Sequence, residues 1–531
     1  MCSIGEEASI HYRGRRYAVA AGELVLDALL RQGAEVAHSC RKGSCHTCVL
    51  HLDAGEIRHD KAVEDTVADS GHVLPCIARA CGEVQLSPPQ LERMSLAAEI
   101  VSRRDLGGDV FEIGIAPLKE MAFVAGQHLQ LVRDDGLSRS YSIASLPGED
   151  FFFVVHVRRI AEGAMSQWLC EDAPVGARLR LLVPQGECSY RSEMAGRPLL
   201  LLATGSGAGA LAAVARDALA SGHAAPVVLY HGVRFADGLY LHERLVELQR
   251  QYANFRYVPC ISGARGSDAW PDGVQACRIT ELAFPAGVDL AGSEVFLCGS
   301  PAMVEDARCL AVGAGVARAS IHADPFEPAG LAAPRDAEKI AAIGADPELW
   351  AALEHGPLLT RILDTFYQRV YADDRLSPFF HDLPRDQIVA KQYAFLADLF
   401  SGKREYFGMN PYNAHHWMVI SDDLFDHREA LFEQALRDHG LPEPMIRRWE
   451  AIHERFRSDM VKPVARGMIL RGVEQPVRIH EVDHLDIDAV CDGCGGEIPA
   501  GQPSRYQYRL GTLHCGTCAG IATEAAQASS A

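Results

Sequence analysis

At 531 residues the chain is too long to fold around one hydrophobic core, so roughly three to five domains are expected. Its 48% hydrophobic and 23% charged residues are those of ordinary globular protein. A formal charge of −19 would repel nucleic-acid phosphates, which excludes nucleic acid as a partner. Met1–Arg16 lacks the apolar centre of a secretory signal. The uncharged stretch Pro198–Ala215 is interrupted by Gly205, Gly207 and Gly209, so it reads as a buried strand entering a glycine turn and not as a membrane span. A cytoplasmic protein without membrane association is therefore expected, in which sixteen cysteines serve metals more than disulfides.

Taken in chain order, Ile10, Tyr12, Tyr17 and Val19 alternate around Gly14, which predicts a hairpin. Leu24, Val25, Ala28 and Leu29 then fall at helical spacing and stop at Gly33. Cys40, Cys45 and Cys48 follow as C-x4-C-x2-C, with Cys76 as a distant fourth cysteine. This is the plant-type spacing in which four thiolates hold a 2Fe–2S cluster; a zinc site or buried free thiols are the alternatives. Gly43 in that loop lets backbone amides approach cluster sulfurs. A short strand near Gln85–Leu86 and the pair Pro88-Pro89 close this first module, residues 1–90.

Residues 94–192 read as short strands with Gly/Pro turns, the pattern of a small antiparallel β-barrel. Arg139-Ser140-Tyr141-Ser142 offers a cation, an aromatic ring and hydroxyls on alternating sides of a strand, the groups a flavin needs for its pyrophosphate, ring system and reactive nitrogen. Alone, that tetrapeptide fits any exposed strand. Gly163-Ala164-Met165-Ser166 adds a helix start whose amides suit flavin phosphates. Residues 196–326 alternate the apolar strands Leu199–Ala203, Pro226–Tyr230 and Glu294–Cys298 with helical stretches, as in a parallel α/β sheet. Gly205 and Gly207 form a tight turn after the first strand, suited to close approach of a dinucleotide pyrophosphate. Cys298 and Gly299 end another strand, where the cysteine could sit over a nicotinamide–flavin contact.

Over residues 1–326 the chain resembles the NADH-dependent reductase components of bacterial aromatic-ring and methane oxygenases, ferredoxin-NADP reductase-like flavoproteins with a fused ferredoxin. His231-Gly232-Val233-Arg234 and the closing Asp324-Pro325-Phe326 extend the match. The resemblance implies a β-grasp ferredoxin in 1–90, an FAD-binding barrel in 94–192 and an NAD(P)-binding α/β domain in 196–326, with Phe326 among the cofactor-binding residues. It also implies hydride transfer from NADH or NADPH to FAD, then single electrons to the cluster. The chain departs from the family at Gly209-Ala210, where a proline is usual, and in closing on aspartate where glutamate is commoner.

Residues 327–346, rich in Ala, Pro, Gly and charge, read as a linker, and residues 347–468 as purely helical. Phe366-Tyr367, Ser377-Pro378-Phe379-Phe380, Lys391-Gln392-Tyr393 and His415-His416-Trp417 occur in an order that resembles the truncated globins over about 349–460. A helical interaction domain is the alternative. The resemblance implies haem b, with His415 as proximal iron ligand and His416 as its competitor. It implies Tyr367 and Gln392 as a distal hydrogen-bonding pair and Phe380 packed on the haem. His355-Gly356-Pro357 replaces the glycine pair usual at the first helix junction. Arg428 interrupts an apolar stripe of Leu424, Phe425, Leu431, Phe432, Ala435 and Leu436. Two readings stay open for it: a stem that packs while the guanidinium reaches solvent or a propionate, or a catalytic cation beside Tyr367 and Gln392.

Cys491, Cys494, Cys515 and Cys518 form CxxC…CxxC, which most often holds structural zinc; His514 could replace one thiol. This resembles a small zinc ribbon over 486–522, with rubredoxin-type iron or a redox dithiol as alternatives. The expected fold is thus multidomain: β-grasp ferredoxin, FAD barrel, nicotinamide domain, all-α truncated globin and zinc ribbon. The leading expectation is an NAD(P)H-dependent nitric oxide dioxygenase, by likeness to flavohaemoglobins, acting on O2 and nitric oxide. Its rivals are a reductase serving a separate oxygenase with the globin as O2 carrier, and a haem-based sensor whose zinc module docks a protein partner.

Overall fold

The computed structural model describes residues 8–519 apart from 21, 33, 35, 37–42, 44–45, 47, 62, 64–66, 69, 91–94, 120, 150, 183, 264–269, 327–334, 381–382, 404–405, 407, 463–464, 471–472, 475–479, 492 and 508–511. The chain forms two units, residues 1–333 with 442–455, and residues 334–441 with 456–531. Among the described residues no helix is long and apolar enough to cross a membrane.

The first unit begins with β1 (Ala8–Tyr12), β2 (Arg15–Val19), α1 (Val25–Arg31), β3 (Leu50–His59), β4 (His72–Val73) and β5 (Ala78–Ser87), in the sheet order β2-β1-β5-β3-β4. β1 runs parallel to β5, so α1 crosses one face and buries Val25, Leu26, Ala28 and Leu29 on it. Next come β6 (Leu96–Gly107), β7 (Val110–Pro117), β8 (His128–Val132), β9 (Ser138–Ser142), β10 (Phe153–Arg158), α2 (Ala164–Gln167) and β11 (Arg178–Leu181). Their order is β10-β7-β6-β11-β8-β9, all antiparallel, and a bridge from Ile143 to Val155 brings the end of β9 back to β10. The expected barrel is there, with Ile113, Ile115, Leu129, Ile143 and Val155 fully buried inside it.

β12 (Leu199–Thr204), α3 (Gly207–Ala220), β13 (Val227–Val233), α4 (His242–Gln251), β14 (Phe255–Ile261), α5 (Ile279–Ala283), β15 (Glu294–Gly299), α6 (Pro301–Gly313) and β16 (Ile321–Pro325) alternate as expected. They make a parallel sheet in the order β14-β13-β12-β15-β16. β12 lies at its centre and is buried on both faces, which is why it reads as an unbroken Leu199–Leu202 run.

The second unit holds α7 (Asp336–Ala342), α8 (Pro347–Ala352), α9 (Pro357–Ala372), α10 (Arg385–Ser401), α11 (Pro411–His415) and α12 (Asp422–Asp438). Leu359, Ile362, Leu363, Phe366 and Val370 form the buried stripe of α9 at helical spacing. The stretch expected as a linker, 327–346, therefore contains an ordered helix, α7. Helix α13 (Glu443–Arg455) returns to the first unit, and α14 (Arg457–Met460) belongs to the second. The tail forms small antiparallel sheets, including Ala489–Val490 with Glu497–Ile498, and a sheet in which Pro503–Gln507 lies between His480–His484 and Thr512–Cys515.

Within the first unit α13 packs along α6 through buried charges. Glu454, with no exposed side-chain surface, accepts from Arg308 Nε at 2.9 Å and Arg318 Nε at 3.3 Å. Arg318 Nη1 also reaches Glu450 at 2.9 Å.

Candidate redox centres

Strand alternation and two glycine-rich turns build one cavity of about 1120 Å³ in the first unit. Arg139, Ser140, Tyr141 and Ser142 line it from β9, Gly163, Met165 and Ser166 from the start of α2, Gly205 from the turn after β12, and Phe326 from the end of β16. Residues predicted separately for flavin and nicotinamide thus meet in one space. Gly207, Cys298 and Gly299 stand behind it. A Cβ on Gly207 would lie 2.6 Å from the Cys298 carbonyl oxygen, so glycine there is a packing requirement.

Ser142 Oγ donates to Asp324 Oδ2 at 2.6 Å, and Cys298 Sγ lies 4.0 Å from that oxygen. Burial raises the pKa of Asp324. Burial, with the Asp324 charge adding, pushes the Cys298 thiol up. Two buried groups whose burial favours the protonated form thus stand beside Ser142 at the end of β9. The sequence reading had Asp324 only as part of the closing motif. It missed Thr204, whose Oγ1 accepts from Ser300 N at 2.8 Å and joins the two nucleotide turns.

It also missed His156 and Tyr240. His156, on β10 of the barrel, fills the space a side chain at Gly209 would need. Its Nδ1 is 3.1 Å from Tyr240 Oη, which donates to Ser206 O at 3.2 Å. The departure from the family pattern at Gly209-Ala210 thus has a steric cause: α3 begins against an imidazole. No sequence motif marks either residue.

Of the predicted cluster ligands, Cys40 and Cys45 lie outside the described residues. Cys48 and Cys76 are buried, each 3% exposed, at one end of the first core. Gly43 has φ +80°, and a Cβ there would stand 2.6 Å from Ile77 Cδ1. The loop is therefore restricted to glycine at that point.

In the second unit Tyr367 Oη donates to Gln392 Oε1, and the Tyr367 ring meets Phe380 edge-on at 5.9 Å. The predicted distal group is brought together. Burial raises Tyr367 to about 12, so it stays a hydroxyl donor. His415 Nδ1 lies 2.7 Å from Pro411 O. Donation there leaves Nε2 with its lone pair, the state that binds a metal. Burial lowers His415 to about 4, the charges of Lys462, Arg428 and His416 contributing. The adjacent His416 is the more deeply buried, at 2%, and its Nδ1 faces Asn413 O at 2.7 Å. The donor set fits a haem held by one neutral imidazole.

Arg428 is not an isolated charge. Its guanidinium pairs with Glu429, itself 1% exposed, and lies 4.8 Å from the centre of the Phe366 ring and 4.9 Å from that of Phe432. The middle of the α12 stripe is therefore occupied by Glu429, with Arg428 flanking it, which corrects the expected placing of Arg428 at the centre.

In the tail, the sulfurs of Cys491, Cys494, Cys515 and Cys518 all lie within 4.8 Å of one another. Tetrahedral zinc thiolates need about 3.8 Å between sulfurs, from a Zn–S bond of about 2.3 Å, and Cys494 and Cys515 already stand 3.9 Å apart. The Cys515 amide points at Cys491 Sγ from 3.3 Å, the main cause lowering that thiol to about 6. The four cysteines fit zinc.

Comparison with known proteins agrees with these modules. The 2Fe-2S iron-sulfur cluster binding domain matches residues 10–81, the oxidoreductase FAD-binding domain 98–190, the oxidoreductase NAD-binding domain 201–309 and the bacterial-like globin 350–462. The reductase subunit of an aromatic O-demethylase from Amycolatopsis is 33% identical over 60% of this chain and 97% of its own length. The chain belongs to the iron–sulfur flavoprotein reductases of bacterial oxygenases. Reductase component 2 of a Comamonas terephthalate 1,2-dioxygenase is 30% identical over 61% of this chain and 98% of its own. The reductase component of a Pseudomonas putida naphthalene 1,2-dioxygenase system is 27% identical over 61% and 100%. This reductase is thus an oxidoreductase that takes electrons from NAD(P)H through FAD and a 2Fe–2S cluster, and it carries a globin domain after the shared region.

Proposed function

We propose that this reductase supplies its own globin with electrons and works as an NAD(P)H-dependent nitric oxide dioxygenase. When bound, FAD accepts hydride from NAD(P)H, the cluster passes electrons singly, and haem supplies an iron at which O2 and nitric oxide combine to nitrate. The residues do the rest. Arg139 and the amides at Gly163–Ser166 would bind the flavin phosphates, and Gly205 the nicotinamide pyrophosphate. Ser142 and Asp324 would hold a proton beside the flavin ring.

One observation carries the globin half: within the same unit, Tyr367 is bonded to Gln392 and edge-on to Phe380, while the His415 ring engages Pro411 O through Nδ1 and so keeps its Nε2 lone pair. That pattern supports one ligand space with a hydroxyl on one side and a neutral imidazole on the other. Held by Glu429 and two phenylalanines, Arg428 would stabilise the polar ligand by its field and not by direct contact. The test is NADH consumption by the full chain with O2 alone, then with nitric oxide added, with nitrate measured. Nitric oxide should speed NADH use and yield nitrate in step. No acceleration, with a haem that stays ferric under NADH, would sink the proposal.

The second reading is a reductase that serves a separate oxygenase, its globin carrying O2. It is favoured by relatives that are themselves oxygenase reductase components and align over nearly their whole length.

A further inference from the structure

The proximal histidine sits on a very short helix, α11, whose first turn lacks its own cap. Asn410 occupies the N-cap position in extended conformation, but its side chain makes no capping bond. Pro411 has no N–H to satisfy, so Tyr412 N is the first donor of the turn. That donor is answered from 76 residues away: Tyr412 N donates to Asp336 Oδ2 at 2.9 Å. Asp336 opens α7, in the stretch whose composition reads as a solvated linker, yet it is only 6% exposed.

The carboxylate is fixed in place. Its other oxygen accepts from Ala337 N at 2.9 Å. Three residues on, Lys339 Nζ reaches Asp459 Oδ2 at 2.6 Å and Ser458 Oγ at 2.8 Å, with both charged side chains 4% exposed. Arg335 N donates to Asp459 Oδ1 at 3.1 Å and holds the start of α7 to the same group. The far end of α11 is tied as well: Lys462 Nζ donates to His415 O at 2.8 Å. Between the two ends, the His415 ring hangs from the first residue of its own turn through Nδ1 and Pro411 O. Any shift of the helix start therefore turns the imidazole. Burying Asp336, Lys339 and Asp459 together is costly unless each is bonded; here Lys339 and Asp459 pair with each other and Asp336 accepts from two backbone N–H groups.

We infer that Asp336 is a positioning residue for His415, capping the proximal helix from the preceding segment and so setting how the imidazole meets the haem iron. This rests on the reading of His415 as the iron ligand. The test uses the full, haem-loaded chain in the ferrous state and reads the iron–histidine stretching band by resonance Raman, with haem transfer to apomyoglobin as a second readout. Asp336→Ala removes the cap and should shift or broaden the band and release haem about fivefold faster, the factor equivalent to a typical lost N-cap. Asp336→Asn keeps an oxygen acceptor and should retain the wild-type band.

An unmoved band and unchanged haem release in Asp336→Ala would overturn the inference, as would an Asp336→Asn band displaced as far as that of the alanine variant. If the alanine variant fails to fold, amide exchange in the unmodified protein decides: the Tyr412 amide should be protected, and exchange at the rate of an open chain would overturn the inference. His415→Ala separates the two levels. Persistence of the band there refutes the ligand assignment and the inference together, whereas its loss there, with no movement in Asp336→Ala, refutes the inference alone.

Discussion

Single side chains in this protein act through what they displace. His156 occupies the space in front of Gly209, so Gly209→Ala should push the barrel imidazole off the first turn of α3 and release Tyr240 from Ser206. The expected result is several-fold weaker NADH binding, read as a raised KM, with FAD content unchanged. Equal KM values would mean that the turn tolerates the shift. His231 gives a pH signature. It is wholly buried on β13, and burial lowers its pKa from 6.5 to about 4. The unfolded chain then binds the extra proton first as pH falls, so stability is full above about 6.5 and is lost on the way down to 4. That lowering corresponds to about 3 kcal/mol. Thermal melting of the first unit across that window should show a shallower loss in His231→Asn than in the wild type. At this scale the sequence was partly legible. The Arg428 stripe could be seen from periodicity, but residues 428 and 429 differ by about 100° around the helix, and periodicity did not decide which of them the core would take.

Elements were legible where one face repeats. Val25, Leu26, Ala28 and Leu29, the β12 leucines and the α9 stripe all announce themselves, because burial of a whole face writes a period into the chain. Helix α7 does not. Lys339 is buried through Asp459, 120 positions later, and no local pattern records such a partner; the surrounding Ala, Pro and charged residues look solvated. The ion pairs that tie Arg308 and Arg318 to α13 were hidden for the same reason. They predict that Glu454→Ala, which removes a carboxylate shared by Arg308 and Arg318, lowers the stability of the first unit by about 3 kcal/mol, as buried pairs do when one side is removed. Flavin release on heating would report it, and an unchanged midpoint would mean these charges are solvated in practice.

For the whole chain, recognition of modules came from ligand sets more than from physics of the core. Cys40, Cys45, Cys48 and Cys76 carry a spacing, as do the tail cysteines, whereas the distal Tyr367–Gln392 pair is 25 residues apart and became visible only through its likeness to globins. The tail thiols have the separation of a closed four-sulfur site with no open position, so removing residues 486–531 should leave NADH oxidation by the flavin intact. Loss of that activity in a folded, flavin-loaded truncation would assign the tail thiols a redox task instead.

Helix α13 also dictates a timetable. Arg318 is translated 132 residues before Glu450, so at about 5–20 residues per second the ribosome needs roughly 7 to 26 s to deliver the carboxylate that Arg318 awaits. Throughout that interval the nascent nicotinamide sheet is already made, while Arg308 on α6 and Arg318 just before β16 still await the carboxylates of α13. The α13 face of the reductase unit is therefore completed only after nearly the whole globin has been synthesised. A chain that stops before Glu450 would lack the carboxylates that meet Arg308 and Arg318, and that surface of the reductase unit would stay unpaired with α13.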